Sequence, residues 1–131
     1  MSELKIPTEL FYTEDHEWIR KDSDGFAYIG VTDFAQNSLG DIVYVEVDEI
    51  EIGDTFSKEE VFGTIEAVKT VSDLIMPVSC EVVEINEELE DTPDKVNESP
   101  YGDGWILKVK IQDEKEFVDL LDSVSYANIT G

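Results

Sequence analysis

A β-rich barrel or sandwich with few helices is the architecture that this chain's residues encode, and three features point to it. Apolar and polar residues alternate in short runs, as in Gly63-Thr-Ile-Glu-Ala67 and Trp105-Ile-Leu-Lys-Val-Lys-Ile111. β-Branched residues crowd Ile42-Val-Tyr-Val-Glu-Val47. Turn-forming clusters such as Asp22-Ser-Asp-Gly25 and Gly53-Asp54 punctuate the runs. Period-two alternation places every second side chain on one face of a strand, and many short strands bury those faces by packing sheet on sheet.

Taken in order, Leu10 to Lys21 carries Phe11, Tyr12, Trp18 and Ile19 and reads as a strand or an extended pair. The Asp22–Gly25 cluster turns the chain, and Phe26–Val31 returns as the second arm of a hairpin. Thr32 is placed to cap a short helix near 33–39, with Gly40 as its stop. Ile42–Val47 is the clearest strand, since its branched side chains suit a pleated surface. Cys80–Ile85 and Trp105–Ile111 are further strands. Between them, Asn86 to Tyr101 is polar and holds Pro93 and Pro100, so a loop with at most one helical turn is expected. Asp113 and Glu116 have capping-box spacing, and Phe117, Leu120, Leu121 and Val124 follow helical periodicity, which predicts a C-terminal amphipathic helix near 114–125. No linker or tandem repeat interrupts the chain, and 131 residues suit one domain over 1–131 that buries about 68% of its unfolded surface.

Lys69 stands out within this frame. It follows Glu66-Ala67-Val68 and precedes Thr70-Val71-Ser72, at the meeting point of two apolar arms in a hairpin over about 61–77. A lysine at a hairpin tip projects its amine into water on a stiff support, where a modifying enzyme can reach it and a tethered group can swing. It is also isolated in charge, because no Lys or Arg occurs from Asp22 to Ser57 or from Thr70 to Asp94.

The net charge of −23 excludes broad classes of partner. Nucleic acids and anionic membranes are polyanions that need Lys and Arg to bind, so neither is expected. Acidity favours steering toward proteins with basic patches. Cys80 is the sole cysteine, which rules out an internal disulfide and suits a reducing compartment. No signal, transit or membrane-spanning segment is visible, so a bacterial-like cytoplasmic location is expected. Asn97-Glu-Ser99 and Asn128-Ile-Thr130 fit the glycosylation pattern by chance in such a setting.

Catalytic equipment is sparse. His16 is the only histidine, in Asp15-His16-Glu17-Trp18, so a nucleophile–base pair has a single base available. One Cys and one His cannot make a zinc site, and no calcium-loop spacing occurs. Tyr101-Gly-Asp-Gly104 is too short and acidic for a phosphate cradle and reads as a turn. A carrier, rather than an enzyme, fits this inventory, and no metal is expected.

The ordered set Tyr12-Thr-Glu-Asp-His-Glu-Trp-Ile19, Ile29-Gly-Val-Thr-Asp-Phe-Ala-Gln36, Leu39-Gly-Asp-Ile-Val-Tyr-Val-Glu46, Phe62-Gly-Thr-Ile-Glu-Ala-Val-Lys-Thr-Val-Ser-Asp73, Pro77-Val-Ser79, Glu81-Val-Val-Glu-Ile-Asn-Glu87 and Val96-Asn-Glu-Ser-Pro-Tyr-Gly-Asp-Gly-Trp105 resembles the glycine cleavage system H proteins, which are lipoyl carriers. The resemblance covers nearly the whole length. It implies a flattened β-barrel or barrel-sandwich hybrid with the lysine on a hairpin, and lipoic acid amide-linked to Lys69. It also implies a shuttle that takes the aminomethyl group of glycine from a pyridoxal-phosphate (PLP) glycine decarboxylase to a tetrahydrofolate-dependent aminomethyltransferase. A dihydrolipoyl dehydrogenase using FAD and NAD would then reoxidise the arm, and lipoate-attaching enzymes would load it. The loaded arm of such carriers folds into an acidic cleft, whose positions fall on Glu17 and Asp73, with Asp15 and His16 beside them. A monomer is expected.

Three departures from the pattern stand out: Ala67 where Ser is common, Cys80 where Gly is usual, and Asp15 in place of a smaller polar residue. A Cys80 at positive φ would carry strain of about 1–2 kcal/mol. Rival readings use the same lysine. Biotinyl domains place Met on both sides of it, whereas Val68 and Thr70 flank it here, and 2-oxoacid dehydrogenase lipoyl domains are shorter and linker-joined. A relay that donates lipoate to other lipoyl domains, and an unmodified acidic interaction module, complete the alternatives.

Overall fold

Two antiparallel sheets face each other across a shared apolar core in the computed structural model, which describes residues 5–47 and 49–130. The larger sheet has six strands in the order β1-β2-β3-β9-β8-β5, and the smaller has three in the order β4-β6-β7. Their ranges are β1 Phe11–Tyr12, β2 Glu17–Lys21, β3 Phe26–Val31, β4 Ile42–Glu46, β5 Thr55–Phe56, β6 Val61–Ala67, β7 Val71–Ile75, β8 Cys80–Ile85 and β9 Leu107–Ile111. The sheets share no strand, so the fold is a sandwich with open seams rather than a closed barrel.

Alternation decides which face each strand buries. Ile19, Ala27, Ile29, Leu107, Val109 and Val82 of the larger sheet meet Val45, Phe62, Ile65 and Leu74 of the smaller one. Burying a side chain of this size is worth about 1.5–3 kcal/mol, so the interlocked set dominates the favourable side of folding. A second, smaller cluster lies apart from that core, where Leu10, Tyr12, Trp18 and Tyr126 come together. Trp18 lies across Gly30, where an added Cβ would come 2.7 Å from the indole, and its Nε1 donates to Pro100 O at 2.9 Å. Glycine at position 30 is therefore a matter of space.

Helices are short. α1 (Asp33–Leu39) begins where the sequence places it, with Thr32 Oγ1 accepting from the Ala35 amide at 3.1 Å and Gly40 at φ 85° ending it. Two single-turn helices, α2 (Glu88–Asp91) and α3 (Lys95–Glu98), replace the one turn expected between Asn86 and Tyr101. Pro93 separates them.

The continuous helix expected near 114–125 is the larger correction. A 3-10 segment covers Glu114–Asp119, the chain extends at Leu120 and Leu121, and α4 spans Ser123–Thr130. Leu121 exchanges two backbone hydrogen bonds of 2.8 Å with Tyr12, which pulls it out of any helix. The capping box is not closed either. Asp113 accepts from Lys115 N at 3.0 Å, whereas Glu116 turns its carboxylate to Ser79, at 2.6 Å from the amide and 2.9 Å from Oγ. Cys80 also behaves simply. It is a fully buried strand residue paired with Ile111 and Phe56, and its φ is not positive, so the strain considered for it does not arise. Burial and the Glu116 charge push its thiol up to about 12.

Candidate functional site

The hairpin β6–β7 is built by the alternation that its sequence carries. Phe62, Ile65 and Ala67 point inward, and β7 pairs along it from Val61↔Ile75 to Glu66↔Val71. Gly63 lies so close to β4 that a Cβ there would collide with the Glu46 carbonyl oxygen, so the small sheet depends on a residue without a side chain. The turn consists of Val68 and Lys69, closed by Ala67 N donating to Thr70 O at 2.8 Å. Val68 N donates to Asp41 O at 3.1 Å, which ties the tip to the start of β4.

Lys69 is exposed, and among the described residues its ammonium takes part in no hydrogen bond or ion pair. Val68 is 69% exposed, and Thr70, Val71 and Ser72 are exposed beside it, so the amine is approachable from several directions. Asn97 supports the region from behind. Its Oδ1 accepts from Ile42 N at 2.9 Å, and its Nδ2 donates to Gln36 Oε1 and Gly40 O, each at 2.9 Å. In the sequence Asn97 lies in a chance glycosylation match and in the Val96–Trp105 stretch of the resemblance, neither of which marks this role; a half-buried side chain holding three groups on distant segments has no local signature.

Glu17 opens β2 and is 2% exposed. Its Oε2 accepts from the Ile75 amide at 2.6 Å, which joins the first hairpin of the large sheet to the return strand of the lysine hairpin. Its Oε1 is buried without a hydrogen-bond partner among the described residues. Burial holds this carboxyl well above the usual range, the Ile75 hydrogen bond opposes that, and the Asp15 charge adds to it. Nothing in the sequence around Glu17 marks this burial.

The other cleft candidates divide. Asp73 lies exposed on β7 opposite Thr64, two residues from the Ile75 that Glu17 holds, and Asp15 is exposed in the loop before Glu17. His16 turns elsewhere. At φ 66° its ring packs at a tilt against Phe34, with centroids 4.6 Å apart, and Nδ1 lies 2.9 Å from the Tyr126 hydroxyl. That hydroxyl is 2.7 Å from Thr32 Oγ1, so one buried network joins the Glu14–His16 turn, the cap of α1 and α4. Burial lowers the His16 pKa, against the Asp15 charge. Among the described residues no group of His, Cys, Asp and Glu could hold a metal ion, and no helix is long and apolar enough to cross a membrane.

The arrangement offers a free amine on a fixed tip, with a buried carboxyl anchored to the strand that leads from it. Comparison with known proteins agrees in sequence and in shape. Residues 10–130 match the family described as Glycine cleavage H-protein. The chain is 54% identical over 123 residues to the glycine cleavage system H protein of Marinobacter nauticus, covering 94% of this chain and 93% of that one. It is 50% identical over 128 residues to the H protein of Staphylococcus carnosus, covering 98% and 99%. The crystal structure of a glycine cleavage system H protein from Mycobacterium marinum superposes with a TM-score of 0.82 at 38% identity, over 95% of this chain and 98% of that one. With a family match over nearly its whole length and a shared fold, the chain belongs to the glycine cleavage H-protein family.

Proposed function

We propose that Lys69 carries lipoate as an amide on its ε-nitrogen and that the chain is the shuttle of the glycine cleavage system. It would take the aminomethyl group of glycine from the PLP-dependent decarboxylase to the tetrahydrofolate-dependent aminomethyltransferase, and then present the reduced arm to dihydrolipoyl dehydrogenase. The observation that supports this most is the exposed, unengaged Lys69 on a turn pinned at Ala67–Thr70 and Val68–Asp41. Bound lipoate supplies a disulfide that accepts electrons and offers a sulfur for the one-carbon unit; the chain supplies the tether point and the cleft. A stiff tip with a flexible arm raises the effective concentration of the sulfurs at each partner without a new contact.

The cleft residues fit a cationic amine. Glu17 Oε1 lacks a partner, and because burial disfavours the charged form of this carboxyl, an arriving cation would compensate it. The pair would then form a charge-assisted hydrogen bond, which is stronger than a neutral one. Asp73 and Asp15, both exposed, would add negative potential for an approaching amine, and His16 positions the loop that leads into Glu17 through its contact with Tyr126.

Tandem mass spectrometry of the Lys69 peptide, from protein made in a lipoate-competent host, tests the assignment. Lipoyl on Lys69, lost in Lys69→Arg with an unchanged melting temperature, is the expected result. Biotin there, or no adduct, would overturn it. In a reconstituted glycine decarboxylation assay Lys69→Arg should abolish turnover; a wild-type rate would instead identify an unmodified interaction module.

A further inference from the structure

We infer that Asn97 is the positioning residue of the Lys69 tip: its side chain orients the peptide group between Asp41 and Ile42, and that peptide group holds the turn from which the amine projects. The inference deepens the carrier assignment and rests on it for the use to which the amine is put.

One side chain fixes one peptide plane. Asn97 Oδ1 accepts from Ile42 N at 2.9 Å, and Val68 N donates to Asp41 O at 3.1 Å. The Ile42 N–H and the Asp41 C=O belong to the same peptide unit, which is trans and planar, so they point in opposite directions. Asn97 therefore grips one end of a rigid plate, and Val68, the residue before Lys69, is bonded to the other. Linked in series, the two hydrogen bonds polarise and strengthen each other. Asn97 also holds the preceding peptide, since Nδ2 donates to Gly40 O at 2.9 Å, so both peptide groups that flank Asp41 are fixed. The second Nδ2 hydrogen goes to Gln36 Oε1, also at 2.9 Å. With both hydrogens on acceptors and the oxygen facing an N–H, the side-chain amide has one orientation only.

The grip falls where the small sheet stops supplying one. β4 and β6 pair at Ile42↔Ala67, but their register shifts between Ile42 and Tyr44, and β6 ends at Ala67. Val68 and Lys69 are exposed, so burial does little to hold the turn. Asn97 itself stands on a firm base. Val96 beside it is fully buried, and Gly104 passes so close to Lys95 O and Val96 Cα that a Cβ there would collide with both. An enzyme that acylates Lys69 then meets a turn already in one shape and spends no binding energy on ordering it.

Amide hydrogen exchange of the full chain, with steady-state acylation by a lipoate-attaching enzyme, tests the role. In Asn97→Ala the Val68 amide should exchange at least about tenfold faster, and the KM of the chain as acyl acceptor should rise about tenfold with kcat little changed. Asn97→Asp keeps an acceptor for Ile42 N and should restore most of the Val68 protection. Gln36→Ala leaves the grip on Gly40 and Ile42 intact and should change neither reading, whereas a general loosening of α1 against α3 would change both. Unaltered Val68 exchange in Asn97→Ala, or a KM that does not move, would overturn the positioning role. So would a wild-type Val68 amide that exchanges as fast as an unstructured peptide, a measurement that needs no variant to fold. A wild-type chain that no such enzyme acylates would sink the carrier assignment, and Val68 exchange would still decide whether Asn97 holds the tip.

Discussion

Glu17 binds one backbone amide through Oε2 and leaves Oε1 buried and unpartnered, so its protonation is tied to folding. Its folded pKa is raised above the ordinary 4.5 by burial, so the folded state binds the proton more tightly than the unfolded chain does. The stability this contributes is fully present below about pH 4.5 and is lost as pH rises through the folded value. Glu17→Gln keeps an oxygen for the Ile75 amide and removes the titration. The variant should therefore gain on the wild type as pH rises, with the gap closing toward pH 4.5 in urea unfolding. Glu17→Ala differs, because it orphans the Ile75 amide and should cost about 1–3 kcal/mol. Lys69 was legible as an exposed tip because alternation on both sides predicts a hairpin. The burial of Glu17 was not, since nothing local marks an acid that a strand 58 residues away will cover.

Strands form where the sequence places them, although β2 buries three residues in a row and β4 is bulged, and the C-terminal region departs from its helical spacing. Phe117, Leu120, Leu121 and Val124 have helical spacing, yet Val124 is 69% exposed and Leu121 pairs with Tyr12 across more than a hundred residues. A long-range backbone bridge outweighs local periodicity, and no window of sequence contains it. α4 is then held by Tyr126, stacked on Tyr12 at 4.6 Å, with its hydroxyl between His16 and Thr32. Tyr126→Phe keeps the stack and removes the hydroxyl, leaving buried polar atoms unsatisfied. A loss of about 1–3 kcal/mol is expected, with faster hydrogen exchange in α4 than in β2 or β3. Within the small sheet, Gly63→Ala should cost about 1–3 kcal/mol, because the Glu46 backbone must move to admit a methyl. Equal denaturation midpoints for Gly63→Ala and wild type would show that β4 yields freely.

At the scale of the whole molecule, charge acts in two opposed ways. The net −23 is not spread evenly: Arg20, Lys108 and Lys110 lie on the larger sheet, with Arg20 over Tyr28 at 4.8 Å and Lys108 over Phe26 at 5.2 Å. Lys69 is the only cation within the strands and turn of β4, β6 and β7, and acylation would remove it. The side that bears the tip is thus the more negative, and it is the side a basic partner would be steered toward. Salt shortens the range of that steering, with a screening length of about 10 Å at 0.1 M and about 3 Å at 1 M. The same salt relieves repulsion among the carboxylates of the folded chain. Raising the ionic strength should therefore increase the melting temperature of the isolated chain while lowering kcat/KM with at least one enzyme partner, with kcat little changed. Calorimetry and steady-state kinetics over one salt series separate the two effects. A kcat/KM insensitive to salt would remove long-range steering, and a melting temperature that falls with salt would mean that the folded chain gains more from its few ion pairs than it loses to repulsion.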